Sequence, residues 1–130
     1  MLIKRGKNVG DNVNKDELVV RSLLAELLGD TLNYYIDNLS DLSKSNGDED
    51  PYSRARSVIH KLSPEEQGII FNFLRLVIVD TTSTVLGTID GSRFPPNIDG
   101  DFKLEYDGDE IQGSLQDELI SRSEELGVYK

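Results

Sequence analysis

The sequence predicts a mainly α fold (α+β class), in which three to four helices and one β-hairpin before the last helix enclose a single core. Three observations carry this. Apolar residues between Leu18 and Ile89 recur at steps of three and four, the period of a helix face. Asp107-Gly108, set between short alternating segments, is a two-residue turn whose twist suits a hairpin. The chain has 130 residues, 37% of them hydrophobic and gathered in blocks, enough for one core and too few for two domains.

The elements follow in order. Residues 1–15 carry Lys4, Arg5, Lys7 and Lys15 against Asp11, with Gly6, Gly10 and three Asn, and are expected to form a flexible basic arm. Residues 16–130 form the single domain, with 10 basic and 23 acidic residues. A bent amphipathic helix is predicted from Asp16 to Leu42, carrying Leu24, Leu28, Leu32, Ile36 and Leu39. Its phase holds across Gly29-Asp30, where Gly costs about 1 kcal/mol against Ala. Ser43 to Pro51 is a loop by composition, and a short helix through Tyr52, Ala55, Val58, Ile59 and Leu62 follows. Ser63, Pro64 and Glu66 supply a cap, a first-turn proline and a capping box for a third helix running to Gly91. Within it, Val77 to Val85 is rich in β-branched residues, so a strand is the alternative there. Ser92 to Asp101 is a loop, and the hairpin occupies about 102–113, pairing Tyr106 with Asp109 and Leu104 with Ile111. Ser114 to Asp117 resembles a capping box for a last helix that ends at Gly127. The predicted core is Leu24, Leu28, Ile36, Ile70, Phe73, Leu74, Val77, Leu104, Ile111 and Leu119.

Composition narrows the function classes. With 24 acidic and 14 basic residues, net charge −10, the chain is not expected to bind nucleic acid or an anionic membrane. It has no cysteine and one histidine, which leaves few ligands for transition metals and few candidates for a catalytic triad. The segments starting at Asn46 and Asn97 begin like calcium loops but lack the required Gly and the final Glu. No phosphate-cradling glycine loop is present, so no cofactor is expected. The N-terminus has no secretory apolar run. The longest unbroken apolar run, Leu76 to Val79, suggests no membrane span, so a cytoplasmic location is expected.

Two groups are candidates for binding. From Asp99 to Glu125 ten acids stand against Lys103 and Arg122, and Asp99, Asp101, Asp107, Asp109, Glu110, Asp117 and Glu118 are expected to steer a basic protein partner. Arg54, Arg56 and His60, on the short helix, are the candidate anion contact. The residues Ile89-Asp90-Gly91, Phe102 to Ile111 and Ser114 to Leu119, in a chain whose first half is helical, resemble small bacterial proteins of the toxin-immunity type. That resemblance implies a compact, acidic, non-enzymatic protein that plugs the active site of a basic toxin or nuclease. The alternatives are a regulatory or structural homo-oligomer, such as a homodimer, and a small carboxylate- or metal-dependent hydrolase.

Overall fold

The computed structural model describes residues 14–45 and 49–130. Helix α1 (Lys15–Glu26) passes through a π-helical turn (Leu27–Thr31) into α2 (Leu32–Ser40), and a 3-10 turn (Leu42–Lys44) follows. Helices α3 (Pro51–Ile59) and α4 (Pro64–Asp90), strands β1 (Glu105–Tyr106) and β2 (Asp109–Glu110), and α5 (Leu115–Glu125) complete the chain. The domain is thus mainly helical, with a two-stranded hairpin before the last helix.

Residues 1–13 of the expected arm lie outside the described residues. Lys15, which the sequence reading assigns to the arm, is the first residue of α1 and is tied to the hairpin. The expected bent helix runs unbroken past Gly29, absorbing it in the π-helical turn, a widening that places one extra residue in the turn.

Local chemistry sets the ends of α4. The Ser63 hydroxyl accepts from the Glu66 N–H at 3.1 Å, and the Glu66 carboxylate accepts from the Ser63 N–H at 2.8 Å. At the other end, Ser92 N–H bonds to Gly87 O and Gly91 N–H to Thr88 O, the paired closure of a Schellman stop. Val77 to Val85 is helical throughout. Thr82, Thr84 and Thr88 each donate a hydroxyl to the carbonyl four residues back, which satisfies in a helix groups that otherwise compete with it.

The hairpin has the expected register, Glu105 opposite Glu110 and Tyr106 opposite Asp109, extended by Ile111 N–H to Leu104 O at 2.8 Å. Asp107 (φ 51°) and Gly108 (φ 88°) both take positive φ, as a type I′ turn requires. Its strands are shorter than 102–113, and of the expected apolar face Ile111 is buried and Leu104 half-buried, while Phe102 and Tyr106 are exposed.

Helix α5 begins differently from the sequence reading. Ser114 makes no capping bond. Asp90, at the end of α4, supplies the cap: Oδ1 accepts from Gly113 N–H (2.7 Å) and Leu115 N–H (3.1 Å), and Oδ2 from Gln116 N–H (2.8 Å). Gln116 then lies over Gly87, donating to Ser83 O and Oγ at 3.0 Å. A Cβ at Gly87 would meet its side chain at 2.7 Å, so only Gly permits this approach.

The core gathers Val20 and Leu24 of α1, Val79 and Leu86 of α4, Ile111, Leu115 and Leu119, with Val128 behind Gly127. Of the predicted core, Leu24, Ile111 and Leu119 are buried, and Leu28, Ile36, Leu74 and Leu104 are half-buried. Ile70, Phe73 and Val77 are corrected to exposed positions. Helix α5 runs antiparallel to α4: Gln116 meets Ser83, whereas Arg122 and Leu126 share a depression with Arg75. The first turns of α4 therefore project past the end of α5, and among the described residues no other helix covers their outer side, where Ile69, Ile70 and Phe73 are exposed.

Candidate binding surfaces

Helices α1 and α5 run side by side in the same direction, with Glu17 near Glu118 and Arg21, Ala25 and Leu28 near Arg122 and Leu126. Both N-termini therefore lie at one end of the molecule. Asp16 and Glu17 occupy the first turn of α1, and Asp117 and Glu118 that of α5. The positive ends of two macrodipoles favour carboxylates there. Burial, followed by the charges of Glu17 and Asp16, pushes the Glu118 carboxyl above the ordinary glutamate range, against a smaller pull from Arg21. Arg21 is paired with Glu17 at 2.7 Å.

The hairpin is fastened to the same end. Lys15 Nζ donates to Asp107 O at 2.9 Å and pairs with Asp109 Oδ2 at 2.6 Å, and the Asp109 bond is the main cause of its raised pKa. The structure thus brings Asp107, Asp109, Asp117 and Glu118 of the predicted acidic group into one region, and adds Asp16 and Glu17. Glu110 points to Gln112, whose amide donates to it at 2.9 Å. Asp99 and Asp101 are exposed on the loop before β1 and form no ion pair among the described residues. Asp16 and Glu17 were missed because their proximity to α5 depends on tertiary packing; their first-turn position was the available signal.

The predicted cationic group is divided by the fold. Arg56 is buried and acts as a clamp. It donates to Asn38 O at 2.8 Å, to the Asn38 side chain, and to Ser45 Oγ at 3.1 Å. Its guanidinium lies over Tyr52, which stacks on Tyr35. Arg54 is exposed, 3.9 Å from Glu49, and His60 directs Nε2 to Ser40 O at 3.1 Å. Arg54, His60 and Lys61 edge an open depression of about 750 Å³ beside α3, with Glu49 among them; Arg56 does not join them. Asp50 caps α3 by accepting from Tyr52 and Ser53 N–H, and the Ser53 bond chiefly holds its carboxyl below the usual range.

A third surface is apolar. Ile69 (62% exposed), Ile70, Phe73 (59%) and Val77 (41%) lie on one side of α4 at helical spacing. Although no long unbroken apolar run exists, an 18-residue window of α4 has mean hydropathy 1.6 and is 11% buried, so by length and composition this helix is apolar enough to cross a membrane. Asn72, Arg75 and Asp80 interrupt the run without lowering the average below that level. The C-terminal half of the helix is nonetheless packed in the core through Val79 and Leu86. Among the described residues no group of three His, Cys, Asp or Glu is placed to hold a metal ion.

No family model matches the chain, and comparison with curated proteins and with solved structures likewise finds no match.

Proposed function

We propose that the protein is a non-enzymatic, cytoplasmic binding module whose acidic end engages a basic protein, with an immunity-type role against a basic toxin or nuclease as its specific form. The observation that carries the reading is the meeting of Asp16, Glu17, Asp117 and Glu118 at two adjacent helix N-termini beside the hairpin acids. Two helix dipoles offset part of the repulsion within this group, so the charges can be kept close together. A concentrated negative field of this kind speeds encounter with a positive surface and repels nucleic acid. The C-terminal likeness to immunity-type proteins agrees in charge and in size.

The test uses the products of reading frames beside this gene. A basic product that is toxic alone and tolerated when co-expressed with this chain is the expected partner. With it, neutralising Asp107, Asp109, Glu110, Asp117 and Glu118 to Asn or Gln should slow association and flatten its salt dependence, while dissociation changes less. Equal association rates and equal salt slopes for wild type and variant overturn the reading.

A further inference from the structure

Helix α4 is 27 residues long, about 40 Å at the helical rise, and one of its sides has no partner among the described residues. On that side stand Ile69, Ile70, Phe73 and Val77, all more than 40% exposed. Their uncovered apolar surface is on the order of 400 Å², the size of the largest apolar patch on a typical monomer, which is often functional. With the exposed Glu66, Asp80, Thr81 and Thr84 around it, the face offers roughly 700 Å², close to one partner's share of a standard interface. Its composition, an apolar centre with a polar rim, is that of an interface.

We propose that this face is covered by the same face of a second copy, the two α4 helices crossing antiparallel at Phe73. A two-fold axis there sets Phe73 against Phe73 and Ile69 of one copy against Val77 of the other, so apolar residues meet apolar residues in an isologous contact. The charge distribution of the whole molecule favours the antiparallel sense, although the same register sets Glu66 of one copy opposite Asp80 of the other, exposed rim positions whose repulsion salt screens. The acidic end of each molecule lies at the C-terminal end of α4, where Asp90 caps α5. Seventeen residues separate Phe73 from Asp90, about 25 Å along the axis, so antiparallel crossing holds the two acidic ends apart by several Debye lengths. A parallel pair would bring them together and align the macrodipoles unfavourably.

A membrane is the poorer occupant. Spanning would require α4 to abandon the core contacts of Val79 and Leu86 and to place Arg75 and Asp80 in hydrocarbon. Binding flat would bring a chain of net charge −10 to an anionic surface. The dimer is independent of the acidic-end reading, and salt distinguishes them: screening strengthens association of two like-charged copies and weakens capture of a basic partner.

The experiment is sedimentation of the full chain over a concentration series, with circular dichroism as a check on fold. The wild type should be dimeric at micromolar concentration, more completely at higher salt. Phe73→Glu, and separately Ile69→Glu, should weaken association at least about 100-fold with an unchanged spectrum; Phe73→Ser serves if a charge disturbs the fold. Orientation is read from cysteines introduced into a chain that has none: mixed Ile69→Cys and Val77→Cys chains should form the mixed disulfide in preference to either symmetric one. A monomeric wild type, a dimer indifferent to these substitutions, symmetric disulfides only, loss of the dimer on removing residues 1–13, or flotation with neutral phosphatidylcholine vesicles in place of self-association would each overturn the proposal.

Discussion

Glu118 stands where two requirements oppose each other. The first turn of α5 favours a carboxylate there, yet burial and the neighbouring Glu17 and Asp16 push its pKa up. A carboxyl whose folded pKa exceeds its unfolded value binds its proton more tightly in the folded state. Folding stability therefore falls as pH rises from the unfolded to the folded pKa, and the cost persists above it. Glu118→Gln should raise the melting temperature at pH 7 by the equivalent of no more than about 1 kcal/mol. The gain should disappear at acid pH, where the glutamate is itself protonated. Melting curves for both proteins across the acid range check this, and a variant less stable at pH 7 would show that the dipole outweighs the crowding.

At the scale of elements, the hairpin was legible because its determinants are neighbours: Asp107 and Gly108 adopt the positive φ values of the turn, and the register follows. Gly108→Val should therefore cost more than about 1 kcal/mol, since a β-branched residue is strained at φ 88°; an unchanged denaturation midpoint would refute this. The capping box of α4 was legible for the same reason. What escaped the sequence depends on residues far apart along it. Arg56 reads as a free cation until α3 folds against α2 and its donors meet Asn38, 18 residues earlier. The buried side of α4 was also hidden, because from Ile69 to Val79 apolar residues occupy nearly every direction around the helix. Periodicity finds the helix there, but only the position and length of α5 decide that Val79 and Leu86 are covered and Phe73 is not.

Across the whole molecule, two joints hold the helices in place. Asp90 joins α4 to α5 through three backbone N–H groups, and Arg56 joins α3 to α2. Asp90→Ala removes a cap and leaves partly buried donors unpaired, so a loss of about 2 kcal/mol is expected. Asp90→Asn, keeping one acceptor oxygen, should lose less. Chemical denaturation of the three proteins measures the difference, and equal stabilities would show that the joint carries no load. The π-helical turn at Leu27–Thr31 lies between these two halves. It accommodates one residue more than an α-helical turn, and one residue of helix is a rotation of about 100° and a rise of about 1.5 Å. Because the widened turn takes up the surplus locally, shortening the chain by Gly29 alone should regularise that turn and leave α2, and α3 joined to it through Arg56, close to their present orientation about the axis of α1. A one-residue deletion inside α1, where there is no surplus to remove, would instead turn α2 and α3 by about 100° relative to the helices that α1 packs on. The π-helical turn is therefore the point in this long helix where chain length can change by one residue at least cost to shape.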